Sequence, residues 1–515
     1  MGQMTMQKTS LKQNIISNFA GQGWSFIVGM VAIPLYIKFL GIEGYGLIGF
    51  YTALQATFNS FLDFGLSITI NRELARYTAL PDKIGQTRDL VRTVEIGYWI
   101  IGFLIGSGVC LSASLIANYW IQAENISTVT IRSTVILMGI VTFIQWPLTF
   151  YQGGLLGLQR MVLLNTVGVI FNTLRAAGAI ILVWNFSPAL IVFFLWQAII
   201  SIFQVGITAF LLWQSLPPSD HAPTFRIKLL TDTWRFTAGM TATSFVAFFL
   251  GQADKVILSK FLTLEFFGYY SLAATLNSQF QLIGAQVFRP LFPRFAALIA
   301  SNATDELRSL YHKSCQFISV TILPIAAIVS LFSHQLIYIW IQDQTTAMMT
   351  APIVTLLFVG TALYNLSDVP YSLSVAYGWT RLGFFQQLIS TLLLVPLMII
   401  LSLRLGGVGA ALTKVILSLA YVIFIPPIVH RRFSVLKGEL QKFYVSDMGF
   451  PLFAVLIAAG AGFWMMPDTL PNIQFLLAMV LITLLTFGVA VLSAREMRAW
   501  AFEQFSILYK WIYSE

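Results

Sequence analysis

Apolar runs of roughly 20 residues alternate with short polar connectors along nearly the whole chain, from Ile15 to Leu492. Each run is long enough to cross about 30 Å of hydrocarbon as a helix. Fourteen can be laid out, at about 14–38, 47–69, 93–118, 133–153, 164–184, 188–213, 236–260, 267–288, 314–340, 351–376, 383–402, 407–429, 448–466 and 471–493. The pattern predicts an all-α polytopic membrane protein with about 14 transmembrane helices, and an even count puts both termini on one side.

The connectors carry the orientation. Of the 30 Lys and Arg residues, 23 fall in the tails and in the loops on the termini's side. Four (Lys38, Arg132, Lys260 and Arg404) fall in the opposite loops, and three (Arg175, Lys255 and Lys414) inside spans. The positive-inside rule therefore places both termini in the cytoplasm. The N-terminal MGQMTMQKTSLKQNIISNFA lacks the short apolar core and small-residue site of a signal peptide and reads as a cytosolic tail. The C-terminal REMRAWAFEQFSILYKWIY alternates bulky apolar and charged residues at helical spacing, which predicts a short interfacial helix over 494–515.

Composition agrees: 57% of residues are hydrophobic and 10% charged, with mean hydropathy +0.79, far from the usage of a soluble domain. The net charge of +9 comes from basic residues scattered singly between apolar runs, so membrane topology accounts for it and nucleic acid is not an expected partner. Cys110 and Cys315 lie in apolar runs, and two cysteines give neither a disulfide framework nor a zinc site. No metal and no cofactor are expected.

The turn KFLGIEGYG, beginning at Lys38, returns 222 positions later as KFLTLEFFG, beginning at Lys260. At that offset Lys38, Phe39, Leu40, Glu43, Gly46, Leu54, Phe58 and Arg72 match Lys260, Phe261, Leu262, Glu265, Gly268, Leu276, Phe280 and Arg294. The shift lays spans 1 and 2 on spans 7 and 8. Six spans preserve orientation, so the halves read as parallel repeats, with substrate expected between them. The alternative is convergent turn chemistry, because a short turn ending a helix favours glycine. The organisation predicted is an N-terminal lobe over 1–213 (spans 1–6), a cytoplasmic linker over 214–235, a C-terminal lobe over 236–430 (spans 7–12), and two extra spans over 431–493.

IPLYIKFLGIEGYGLIGFYTALQATFNSFLDFGLSITINRELARY resembles the opening of the bacterial polysaccharide flippases, the O-antigen-type lipid-linked oligosaccharide translocases. YQGGLLGLQR, QADKVILSKFLTLEFFGYYSLAATL and GGVGAALTKVI extend the resemblance over nearly the whole chain. It implies the multidrug, oligosaccharidyl-lipid and polysaccharide exporter superfamily, with two pseudo-symmetric six-helix lobes plus two C-terminal helices. It further implies a transporter, not an enzyme, of the bacterial inner (cytoplasmic) membrane. Its substrate would be an undecaprenyl-diphosphate-linked glycan moved to the outer leaflet by alternating access, for O-antigen, lipopolysaccharide or other polysaccharide biosynthesis. Membrane lipids, a polysaccharide polymerase and chain-length proteins are the implied partners.

Ionisable groups inside spans cost about 2.5–3.5 kcal/mol each on insertion, so each is a functional candidate. Arg175 falls about 18 Å from the cytoplasmic end of span 5, near mid-membrane, and Asp254 and Lys255 about 28 Å along span 7. Adjacent helical positions diverge by about 100°, so Asp254 and Lys255 do not pair face to face. Arg175, with Lys255 and Lys414, is the candidate site for the diphosphate or an acidic sugar, because a guanidinium binds phosphate bidentately and stays charged. A structural ion pair, or snorkelling for the two lysines, is the other reading. Arg72 and Arg294, related by the repeat, are candidates for a phosphate-capturing mouth or for headgroup anchors. Asp63, Asp254 and Asp368 are candidates for a proton or sodium site, or else partners for the bases or helix caps. Membrane potential alone can also drive export, since a charge crossing the field gains about 2.3 kcal/mol per 100 mV.

A multidrug exporter shares the expected fold, but drug cations favour an acidic or apolar cavity, whereas Arg175 is the deepest charge. A lipid-linked peptidoglycan precursor flippase is not excluded by the charge pattern. A membrane glycan polymerase fits less well, because the loops are short and His221, His312, His334 and His430 join no recognisable catalytic constellation. No GxxxxGK[ST] loop is present for ATP.

Overall fold

The computed structural model describes residues 11–63, 65–79, 86–186, 189–218, 222–229, 251–467 and 471–513. Among them the regular secondary structure is helical, apart from one isolated bridge between Gln122 and Thr263. The first helices are α1 (Leu11–Leu62), α2 (Leu66–Ala79), α3 (Thr87–Leu115), α4 (Thr128–Gly157), α5 (Met161–Asn185) and α6 (Leu190–Ser215). After them come α7 (Ala253–Phe261), α8 (Leu264–Ala300), α9 (Thr304–Leu331), α10 (Ser333–Ile341), α11 (Gln344–Ala376) and α12 (Thr380–Arg432). A turn at Leu440–Lys442 and a π-helical stretch at Phe443–Gly449 lead into α13 (Phe450–Trp464), followed by α14 (Asn472–Ser493) and α15 (Arg495–Tyr513).

Ten described helices are long and apolar enough to cross a membrane. Two of them hold two expected spans each. α1 carries span 1 and most of span 2 across a break at Gly41 (φ 73°), and α12 carries spans 11 and 12 across Gly406 (φ 59°). Both breaks use a left-handed backbone open to glycine at little cost. With α8 added, expected spans 1–6 and 8–14 each have a described helix. Most of expected span 7, with Arg235 before it, and His221 lie outside the described residues.

Several boundaries differ from the apolar runs. Expected span 9 at 314–340 begins as a helix at Thr304 and ends at Leu331, and Ser333–Ile341 is a separate short helix. The first turns of α9, TDELRSLYHK, are polar and helical at once, with Asp305 and Glu306 favouring the positive N-terminal end. Span 2 stops at Leu62 and restarts at Leu66 after Gly65 (φ 66°).

The chain divides into two compact units, Met1–Gly268 and Tyr269–Glu515. In the first, α4 packs on α2, α3 and α6, and α5 on α1 and α6. Ile70, Leu74, Tyr98, Trp146, Phe150 and Leu212 belong to its main core. The YQGGLLG segment explains how α2 reaches α4 so closely: a Cβ on Gly153 would meet the Ser67 carbonyl oxygen at 2.6 Å, and one on Gly157 that of Asn71 at 2.5 Å. In the second unit α11 packs on α9, α10 and α12, while α13 and α14 pair and cover α9. Large apolar side chains such as Leu111, Phe210, Leu392 and Trp464 remain exposed, the reverse of a water-soluble surface and suited to lipid.

Candidate functional site

Arg175 projects from the middle of α5 onto a polar stripe of α6. Its Nη1 donates to Gln197 Oε1 at 2.7 Å and its Nη2 to Gln204 Oε1 at 2.7 Å, and both reach Ser201 Oγ at 3.4 Å. Gln197, Ser201 and Gln204 follow at helical spacing on one face, and all three are buried. Gln145 of α4 completes the cradle, its amide oriented as the hydrogen-bond network requires. The oxygen accepts from Arg175 Nη1 at 2.7 Å and Nη2 at 3.1 Å, and the nitrogen donates to Tyr51 Oη at 3.2 Å. Gln55 Nε2 donates to the same tyrosine oxygen at 2.6 Å and reaches Thr142 Oγ1 at 3.2 Å.

Neighbouring contacts hold α5 in place. Trp24 Nε1 donates to Thr173 Oγ1 at 2.8 Å and Asn172 Nδ2 to Ser25 Oγ at 3.0 Å, joining α5 to α1. Trp196 Nε1 donates to the Leu174 carbonyl at 3.2 Å, joining it to α6. Among the described residues no carboxylate lies within ion-pair distance of Arg175. Neutral amides satisfy the guanidinium's protons without cancelling its charge, and the cation is half-buried.

Other candidate residues of the first unit have different settings. Asp63 occupies the break between α1 and α2. Tyr98 donates its hydroxyl to Asp63 Oδ1, and Ser67 donates to Oδ2 through its hydroxyl at 2.7 Å and its amide at 3.4 Å. That is the arrangement of a carboxylate capping the start of α2. Asp254, buried, and Lys255, half-buried, adjoin in the first turn of α7, and neither is free of partners. Arg72 is exposed on α2, 3.9 Å from the neighbouring Glu73.

In the second unit Lys414 is half-buried in α12 and engaged with its surroundings. Arg294 is exposed near the end of α8, along a groove of about 330 Å³ shared with Asp305, Glu306 and Lys313. Asp368 lies in α11, just before Pro370, within electrostatic reach of Tyr364 and Tyr371.

Glu95 escaped sequence reasoning. It is buried near the start of α3, where it accepts from Tyr151 Oη at 2.8 Å, Trp213 Nε1 at 3.1 Å and Arg92 Nη1 at 2.9 Å. Asp89, earlier on α3, accepts from the Thr224 amide at 2.8 Å and pairs with Arg226 at 2.9 Å, fixing residues 224–226 to this helix. A carboxylate inside expected span 3 (93–118), with Arg92 three residues before it, was the available signal for this hub.

The architecture is similar to that of solved transporters. A lipid II flippase, MurJ, in its inward closed conformation superposes with a TM-score of 0.71 at 16% identity, covering 92% of this chain and 98% of that one. An inward-facing multidrug resistance transporter of the MATE family, MOP superfamily, gives 0.60 at 15% identity, covering 80% and 95%. At these identities the likeness is one of fold. A protein of Escherichia coli (strain K12) named for O-antigen transport is 27% identical over 81 residues, 16% of this chain and 20% of that protein. The family described as "Polysaccharide biosynthesis protein" matches residues 11–299, more than half of the sequence, and the chain belongs to that family.

Proposed function

We propose that this protein is a flippase. It carries an undecaprenyl-diphosphate-linked oligosaccharide from the cytoplasmic to the outer leaflet of the bacterial inner membrane by alternating access, with both termini in the cytoplasm. The observation that carries the reading is Arg175, a cation in the apolar run of span 5, held by Gln145, Gln197, Ser201 and Gln204 with no described carboxylate beside it. A diphosphate oxygen competes with the amide oxygens for the guanidinium fork, and charge favours the phosphate. Family membership supports a polysaccharide intermediate as cargo, and the fold supports movement of a lipid-borne head group while its isoprenoid tail stays in lipid. Lys255, Lys414, Arg72 and Arg294 are further contacts for the anion. Asp254 and Asp368 are the sites for a coupling proton or sodium ion where membrane potential does not suffice. A polysaccharide polymerase and chain-length proteins are the partners this reading implies.

Deletion of the gene should cause an undecaprenyl-diphosphate-linked oligosaccharide to accumulate on the cytoplasmic leaflet. Arg175→Glu should insert in the membrane and fail to restore export. Accumulation of a lipid-linked peptidoglycan precursor would reassign the cargo. Drug sensitivity without any glycolipid would overturn the flippase reading, and full complementation by Arg175→Glu would remove Arg175 from the site.

A further inference from the structure

The second unit contains a buried ionic cluster that the anion site does not use. His312, in α9, is 1% exposed, and its Nδ1 is hydrogen-bonded to Asp447 Oδ2, on a side chain with no exposure at all. Its Nε2 is buried without a hydrogen-bond partner among the described residues, 3.5 Å from Glu439 Oε2. The remaining Asp447 oxygen accepts from Gln316 Nε2 at 2.8 Å, one turn further along α9. Gln316 Oε1 in turn accepts from the backbone amide of Glu496, in the first turn of α15, at 2.8 Å. One imidazole thus stands where α9, the 434–449 segment and the C-terminal helix meet.

Proton arithmetic decides what this geometry favours. A neutral imidazole has one N–H, so it serves one carboxylate and turns a lone pair toward the other. An imidazolium donates to both. Asp447 and Glu439 thus face the two ring nitrogens from the same segment. Other titratable groups around the ring are Arg308, Tyr311, Cys315 and His430. Arg308 shares Glu439 at 3.7 Å and donates to the Val435 carbonyl at 3.0 Å, so it anchors the same segment by a charge that does not titrate. His430 has its Nδ1 2.8 Å from the Pro426 carbonyl oxygen and its Nε2 3.5 Å from the Tyr311 hydroxyl, and the Tyr311 ring itself neighbours His312. Asp447 sits within the π-helical stretch Phe443–Gly449, a departure from α-helix that recurs at functional positions.

We propose that His312 is a proton-binding site whose occupancy fastens the 434–449 segment and the start of α15 to α9. With the proton bound, the ring grips Asp447 and Glu439 together. When the proton leaves, the hold on Asp447 remains and Glu439, the partly exposed partner, loses the ring and keeps only Arg308, so the segment loosens from its Glu439 end. Lys437 and Lys442 flank Glu439 in sequence, on the end of the unit expected to face the cytoplasm, where this site would respond to cytosolic pH.

The test is hydrogen–deuterium exchange of the full chain in lipid nanodiscs between pH 5.5 and 8.5, corrected for intrinsic rates and read on peptides covering 434–449. Imidazole NMR of His312, assigned by comparison with His312→Gln, follows the proton itself. Protection of 434–449 should fall by about tenfold as the His312 ring loses its proton, while α3 and α4 peptides stay constant. Glu439→Gln should abolish the pH dependence with Asp447 still in place, and it keeps the test available should His312→Gln fail to fold. An unchanged pH dependence in Glu439→Gln, or flat protection in the parent chain across the titration of His312, would overturn the proposal.

Discussion

Gly46 and Gly268 touch backbone to backbone within the first unit. A Cβ on Gly46 would strike the Leu264 carbonyl oxygen, and one on Gly268 would lie 2.5 Å from that of Ile42. Ile42 and Leu264 stand at the same offset of 222 as the two glycines, so the contact is reciprocal in the way a twofold relation requires. The repeated turn packs on its own copy, which convergent turn chemistry alone does not explain. Because the obstructing atoms are backbone, Gly46→Ala and Gly268→Ala should each destabilise by about 1–3 kcal/mol. Gly97→Ala and Gly168→Ala, where nothing lies within 4 Å, should be neutral or stabilising. Apparent melting temperatures of the four purified variants, set against the parent, check the difference in sign.

Glu43 belongs to the same turn and is 5% exposed. Its carboxylate accepts from the backbone amides of Glu124 at 2.9 Å and Asn125 at 3.0 Å, while Leu264 N donates to the Gln122 carbonyl at 2.6 Å. Both copies of the turn therefore hold the segment that follows α3. Removing the acceptor in Glu43→Ala strands two amides and should cost about 2 kcal/mol. Hydrogen exchange at residues 122–126 should accelerate in Glu43→Ala and much less in Glu43→Gln, which keeps one acceptor oxygen. Equal exchange in both variants would show that the charge itself, not the acceptor, holds the segment.

The spans were legible because hydrocarbon thickness dictates the length of an apolar run. Helix ends were not, because hydropathy reports the membrane core and not the polar turns beyond it: α9 starts at Thr304 in water-compatible sequence. Gly41 and Gly406 announced their breaks, since each sits in a glycine-containing turn between two runs. Arg175 stood out as a charge in an apolar run, but its cradle did not, although Gln197, Ser201 and Gln204 form a polar stripe at helical spacing. Glu95, a charge inside expected span 3, was legible by the same rule as Arg175, but its hub was not, because its partners Tyr151 and Trp213 come from distant helices and only folding brings them to it.

The cradle of Arg175 offers a test of charge as opposed to shape. Gln204→Glu replaces a neutral acceptor 2.7 Å from Nη2 with a carboxylate of nearly the same size. An ion pair forms in place of a hydrogen bond, so folding stability should change by less than about 1 kcal/mol or rise. Export should nevertheless fall at least about tenfold, because the guanidinium's charge is then neutralised within the protein. Retained export with an intact fold would show that the free positive charge of Arg175 is not what the substrate meets.

Asp63 separates a structural from an ion-coupling role by a single atom. Its two oxygens accept from Tyr98 and Ser67, which ties the restart of α2 to α3 across the break at Gly65. Asparagine keeps one acceptor oxygen and a similar shape while losing the charge and the ability to carry a proton. If capping is the role, Asp63→Asn should retain most export and lose about 1 kcal/mol of stability, whereas Asp63→Leu, which satisfies neither donor, should lose about 2–3 kcal/mol. Both losses are read as shifts in unfolding midpoint, alongside glycolipid accumulation in cells carrying each variant. Export abolished by Asp63→Asn in a protein that folds and inserts like the parent would instead make this carboxylate part of the coupling machinery.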